Sequence, residues 1–220
     1  MRSRRGEAGV PGLTEGVGPH RRRLVVVVGT LVVGSMLLAA TLRTPAGSTS
    51  FVIVGCSLAV TWISGSVVSE PIPLKIVGAS ALANSVRGLM LGVLAFCGFL
   101  ALSLVGRHLP IVSPALHDVL RTAETGPAAL ILFVALLNGL GEEMFFRGAL
   151  FDALGTHHPV PGSVVIYVVV TAASGNIALV LAALVMGYLF SLERARTGGV
   201  AASTATHLCW STLMLLALPK

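Results

Sequence analysis

Seven stretches of this chain run almost free of charge, and the charged and turn-forming positions gather between them. The apolar runs are Leu24–Thr41, Phe51–Ser69, Leu89–Val105, Ala128–Leu154, Gly162–Ser174, Ile177–Leu192 and Val200–Leu218. A helix of roughly 20 apolar residues crosses a hydrocarbon core about 30 Å thick. The pattern therefore predicts an all-α polytopic membrane protein of about seven transmembrane helices. Pro71, Pro73 and Pro110 fall between runs, Pro159 and Pro161 open the fifth, and Pro219 follows the last. At those places a missing backbone N–H costs little. The stretch Ile76–Arg87 is moderately apolar and is expected at the interface. Leu24–Thr41 is too long for a typical signal-peptide core and has no A-x-A cleavage site, so it is expected as a retained first span. Met1–Arg23, rich in Gly, Pro and Arg, is expected as a disordered basic cytoplasmic arm. The chain then divides into that arm (1–23), a set of N-terminal transmembrane helices (24–126) and a C-terminal core (127–218).

Composition removes the main competitors. Of the 220 residues only 11% are charged and 55% are hydrophobic, whereas soluble domains carry about 25% charged residues. A soluble enzyme and a disordered chain are both excluded. A net charge of +6 raises the question of nucleic acid, but the placement of the cations answers it differently. With the N-terminus in the cytoplasm, ten Lys and Arg lie on that side: Arg2, Arg4, Arg5, Arg21, Arg22, Arg23, Lys75, Arg87, Arg194 and Arg196. Four lie outside, Arg43, Arg107, Arg121 and Lys220, and Arg147 lies within a span. This bias predicts an N-in, C-out multi-pass protein of the cell membrane. The arm then serves topology and contact with anionic lipid, and no nucleic-acid partner is expected. Cys56, Cys97 and Cys209 sit far apart in apolar runs and are expected as buried apolar side chains, not a disulfide framework or zinc knuckle.

Ionisable residues inside spans are expensive and usually functional. The concentrated case is Glu142-Glu143-Met144-Phe145-Phe146-Arg147. Glu143 and Arg147 are four apart with Glu first, the better order for an ion pair on one helix face. Glu142 is turned about 100° away and faces something else, which suits a general acid or base, or a metal ligand. His207 lies in the last span with Ser211 four residues on, on one helix face. A carboxylate and an imidazole on two helices make a water-activating or metal site. At 1.5 Å per residue, Glu142 and His207 lie roughly 8 Å and roughly 10 Å from the cytoplasmic edge, the same depth within a turn or two. Ser174-Gly175-Asn176 offers an amide for an oxyanion, although such a triplet is ordinary turn chemistry. His157 and His158 are adjacent on a short loop and poor joint ligands, and His20, His108 and His117 are likewise expected in loops.

Glu142-Glu143-x-x-x-Arg147 in apolar sequence, followed by a span and a late histidine, resembles the CAAX-protease and bacteriocin-processing (CPBP, or Abi) family of intramembrane endopeptidases. The resemblance covers about Pro127–Ala217. The family pattern continues with F-x-x-x-H and then H-x-x-x-N or D. His207 matches the last motif, with Ser211 in place of Asn or Asp. By spacing, Ala172 and Asn176 stand where the second motif has Phe and His. The resemblance implies hydrolysis of a peptide bond by water that Glu142 and a histidine activate. Glu143 and Arg147 then hold the helix, and Asn176 and Ser211 are the remaining polar candidates. It leaves two routes open, a metalloprotease using a divalent metal such as zinc on Glu142 and His207, and a metal-free glutamate-type hydrolase. The partners implied are a peptide or membrane-protein substrate and the lipid bilayer. Three competing readings follow from the residues. One is an inactive relative that binds peptide as an immunity-type or scaffold protein. Another is a rhomboid-type serine protease built on Ser174 and His207. The third is a transporter with a buried proton relay.

Overall fold

A computed structural model of the protein describes residues 19–69 and 79–217, and every element among them is helical. They are α1 (Pro19–Arg43), α2 (Thr49–Ser69), α3 (Ala79–Gly106), α4 (Val112–Glu124), α5 (Ala128–Glu142), a π-helical segment (Glu143–Leu150), α6 (Phe151–Leu154), α7 (Pro159–Ala172), α8 (Ile177–Thr197) and α9 (Ala201–Ala217). Five stretches are long and apolar enough to cross a membrane: Arg21–Arg43, Thr49–Ser69, Ser80–Gly106, Ala128–Leu154 and Ile177–Thr197. The α7 helix is apolar but has 14 residues, and α9 has 17. The described residues thus contain five candidate spans by length, against about seven expected from the runs.

The element boundaries differ from the sequence pattern in three places. The first helix begins at Pro19, so Arg21, Arg22 and Arg23 belong to it and not to a disordered arm; the rest of the expected arm lies outside the described residues. Proline tolerates the first helical turn and arginine is a good helix former. Residues 79–87, part of the expected interfacial stretch, are the start of α3, while 76–78 lie outside the described residues. Val112–Glu124, expected as loop, is a helix that carries His117.

Antiparallel neighbours come from short connections. The α1 and α2 helices pair, as do α7 and α8, whereas α3 runs parallel to α9, with Gly88 against Ala202 and Gly92 against Cys209. Small residues let these backbones approach. A Cβ on Gly92 would stand 2.8 Å from the Thr206 carbonyl oxygen of α9, and one on Gly141 would stand 3.2 Å from that of Ala59 in α2. Such close contact is the usual way apolar helices pack in lipid.

The centre of the bundle is the π-helical segment. It touches α2, α5, α6, α7, α8 and α9, and seven of its eight residues are buried. A helix buried all round needs partners on every side, and the phenylalanines find them. The Phe145 and Phe146 rings lie 5.0 and 5.1 Å from that of Trp62 on α2, and Phe146 meets Tyr167 of α7 edge-on at 4.8 Å. Pi-helical turns occur mostly as short inserts, often at functional sites.

Candidate active site

The π-helical segment opens at the two adjacent glutamates and gives them different neighbours. Glu143 is fully buried. Its Oε1 accepts from Arg147 Nη1 at 3.2 Å, one turn along, and lies 3.0 Å from His207 Nδ1 on α9. An ionised carboxylate only accepts, so Nδ1 carries the proton and Nε2 is the open nitrogen of His207. The side chain is fixed further by the Phe190 ring, stacked on the imidazole at 4.7 Å and 20°. Nε2 lies on the side of Gly139, where a Cβ would come within 3.6 Å of it.

Arg147 is also fully buried. Its Nη2 donates to the Gly187 carbonyl at 3.2 Å, and its guanidinium lies over the rings of Tyr167, Phe190 and Phe146 at 4.6, 5.0 and 5.9 Å. One cation thus joins α7, α8 and its own helix. Its backbone carbonyl accepts from Arg194 Nε at 2.7 Å, and Arg194 Nη2 reaches Asp152 Oδ1 at 2.7 Å. Arg23 Nη2 approaches Asp152 Oδ2 at 3.9 Å, which ties the start of α1 to the same end of the bundle.

Glu142 is only half-buried. Its Oε2 accepts from the Tyr167 hydroxyl at 2.8 Å, and its Oε1 has no hydrogen bond among the described residues. The polar cluster thus has an enclosed side, Glu143–Arg147–His207, where Glu143 Oε2 and Arg147 Nε are buried without partners, and an open oxygen on Glu142.

Of the residues singled out from sequence, Glu142, Glu143, Arg147 and His207 converge. The histidine pairs with Glu143, however, and not with Glu142 as the two-helix argument expected. Adjacent residues differ by about 100° around a helix, and the packing of α5 against α9 turns Glu143 toward the histidine. Ser211 lies one turn further along α9 and is half-buried. Asn176 is not brought to the cluster. Its Oδ1 caps α8 by accepting from Ala178 and Leu179 N–H at 3.0 and 3.1 Å, and its Nδ2 donates to Ala115 O of α4 at 2.9 Å. Eleven residues separate it from Gly187, roughly 16 Å along the helix. Ser174 accepts from the Asn176 N–H in the same turn, where Gly175 supplies a φ of +72°. The residue of α7 that faces Glu142 is Tyr167, nine positions before Asn176.

Two further polar groups escaped the sequence reading. Tyr167 was hidden in the run Val164-Val165-Ile166-Tyr167-Val168-Val169-Val170; its one signal is to be the only hydroxyl between Ser163 and Thr171. Glu193 lies just past the expected end of its span. It is 7% exposed, its Oε1 accepts from the Thr206 hydroxyl at 2.8 Å, and Oε2 is buried without a partner. Its signal is adjacency to a histidine-bearing helix, which only the fold reveals.

The donor set does not fit a tightly held zinc. Catalytic zinc takes three protein ligands. Among the described residues no three His, Cys, Asp or Glu side chains converge as a metal cage; Oε1 of Glu143 is taken by Arg147 and His207, and its Oε2 is buried without a partner.

No match to the chain was found among curated proteins or among solved structures. The five long apolar helices and the family match together indicate a multi-pass membrane protein. Every side chain of the cluster falls within residues 124–213, and that segment matches the CPBP-family model described as type II CAAX prenyl endopeptidase Rce1-like.

Proposed function

We propose that this protein is an intramembrane endopeptidase in which Glu142 activates the water that attacks a peptide carbonyl. The observation that carries the reading is the unequal pair of carboxylates. Glu143 is fully buried, with Oε1 held by a cation and an imidazole and Oε2 enclosed without a partner, whereas Glu142 keeps Oε1 free on a half-buried side chain. A general base must reach the proton that it takes, and Oε1 is the one carboxylate oxygen of the pair that is open to a water. His207 is oriented through Nδ1 by a carboxylate, an arrangement that fixes which nitrogen is free. With the proton on Nδ1, its Nε2 presents a lone pair, suited to accept a hydrogen bond from the attacking water and help Glu142 orient it. The balance is simple. Water adds to the carbonyl carbon, its proton goes to Glu142, the C–N bond breaks, and the amine leaves with that proton. No metal is needed for any of these steps.

The reading includes an orientation. The cluster lies at the end of the bundle that holds the N-terminus of α1 and the C-terminus of α8. Among the described residues Arg21, Arg22, Arg23, Arg87, Arg194 and Arg196 lie at that end, against Arg43, Arg107 and Arg121 at the other. Six against three favours that end as cytoplasmic, with α7 and α9 as short spans that complete seven crossings of the cell membrane. The substrate is then a peptide or membrane-protein segment that enters from the cytoplasmic side.

A mass-spectrometric comparison of new peptide termini tests the proposal. Membranes containing the wild-type protein are set against membranes containing Glu142→Ala at equal abundance. Termini that vanish with Glu142 establish a protease and name its substrates. Identical termini across growth conditions sink the hydrolase and favour a peptide-binding protein of the same fold.

A further inference from the structure

The two oxygens of Glu142 are inequivalent, one held and one free. Among the described residues a single group does the holding. The Tyr167 hydroxyl donates to Oε2 at 2.8 Å, from a helix separate from the one that carries Glu142. The phenol is itself fixed from three directions. The Arg147 guanidinium lies 4.6 Å from its ring centroid, the Phe146 ring meets it edge-on, and Gly187 leaves the space in which the ring sits. A Cβ on Gly187 would stand 3.0 Å from Tyr167 Cδ1. Any larger residue there would press on the ring, and through its carbonyl Gly187 also holds Arg147.

We infer that Tyr167 is a positioning residue for Glu142: its hydroxyl pins Oε2 so that Oε1 is the oxygen presented to the attacking water. This inference rests on the endopeptidase reading for its kinetic consequence, but the hydrogen bond can be tested without turnover. It divides the tyrosine into two parts. The ring is structural, through Arg147 and Phe146. The hydroxyl serves the site, because its one hydrogen bond among the described residues is to Glu142.

The separation makes Tyr167→Phe the informative variant, since it keeps the ring and deletes the hydroxyl. Folded yield and thermal stability in detergent are expected to match wild type. With a peptide that shows Glu142-dependent cleavage, kcat is expected to fall about 10- to 100-fold with KM within about twofold, the scale set by losing the geometry of one reacting group. A merely structural tyrosine would move yield or KM and leave kcat alone. Infrared difference spectra of the purified full-length protein supply the second measurement. Tyr167→Phe is expected to shift a carboxyl band that is absent when the same change is made in Glu142→Gln.

The outcomes separate the two ideas. If Glu142→Ala cleaves as well as wild type, the endopeptidase reading fails, and the infrared band alone decides whether Tyr167 holds Glu142. If cleavage needs Glu142 but Tyr167→Phe keeps wild-type kcat, the positioning role is overturned. It is equally overturned if the carboxyl band stays unmoved on losing the hydroxyl.

Discussion

Two regions of this bundle place polar residues in apolar sequence, and they use them in opposite ways. At the Ser174–Asn176 turn each polar group is spent on the backbone: Asn176 on the first N–H groups of α8 and on Ala115 O, and Ser174 on the Asn176 N–H. At the Glu142–His207 cluster the side chains answer one another across three helices and the π-helical segment. Backbone groups freed inside an apolar bundle must be satisfied, so the turn follows from chain reversal alone. No such demand calls for two glutamates, a tyrosine and a histidine together. The difference identifies the cluster as the region whose chemistry is not accounted for by folding.

The largest test of that contrast is Arg147→Ala. Arg147 neutralises a carboxylate with no exposed surface and binds the Gly187 carbonyl. Breaking a buried pair by removing one partner costs about 3–5 kcal/mol, comparable to a large part of a domain's stability. Folded yield, followed by size-exclusion chromatography in detergent, is expected to collapse. Arg147→Lys should recover part of the yield and less than full stability. A point charge replaces the ion pair but not the planar contact with the Tyr167 and Phe190 rings. A fully folded Arg147→Ala protein would show that Glu143 does not depend on its cation.

Next comes His207→Ala. Glu143 keeps Arg147, so the fold is expected to persist. Loss of a positioned acid–base group is expected to lower cleavage by about 10²- to 10⁴-fold, read as the rate of appearance of Glu142-dependent termini. Retained cleavage would move His207 to the structural side of the comparison. Gly187→Ala should act more mildly. Its new methyl would press on the Tyr167 ring, and overpacking of this kind costs about 1–3 kcal/mol. Thermal stability in detergent measures it, and a cost confined to Gly187→Ala but absent from Tyr167→Phe would locate the contact on the ring.

How far the sequence carried follows from these same residues. The Glu143–Arg147 pair was legible because spacing alone puts the two on one face, and it survives the change from α- to π-helical turns. The partner of His207 was not legible, because two adjacent glutamates point about 100° apart and only the packing of α5 against α9 decides which one meets the histidine. Tyr167 was not legible either: a tyrosine within valines reads as core until a carboxylate is seen across from it. The spacing of the second family motif led instead to Asn176, whose place at a helix N-terminus is the ordinary one for asparagine. Among the elements, the long apolar runs stood out at once. The α4 helix was hidden by Pro110, Pro114 and its charges; proline is tolerated in a first turn and only looks like a break.

The smallest expected effect completes the comparison from its other side. Asn176→Ala removes the Oδ1 cap from Ala178 and Leu179 and the donor to Ala115. Loss of an N-cap costs about 1 kcal/mol, and the carbonyl on α4 adds a further modest loss. Thermal unfolding in detergent should therefore shift slightly downward. Cleavage per folded molecule should stay at the wild-type rate, since roughly 16 Å of helix separates the cap from the Gly187 level of the cluster. Asn176→Asp makes the test sharper. Its carboxylate can still accept from the first N–H groups of α8, and it complements the helix dipole, but it cannot donate to Ala115 O. It should recover most of the lost stability while leaving α4 untied. If either change instead lowers the rate per folded molecule as much as His207→Ala does, the turn and the cluster act as one site, and the division between polar groups used for folding and polar groups used for chemistry fails in this bundle.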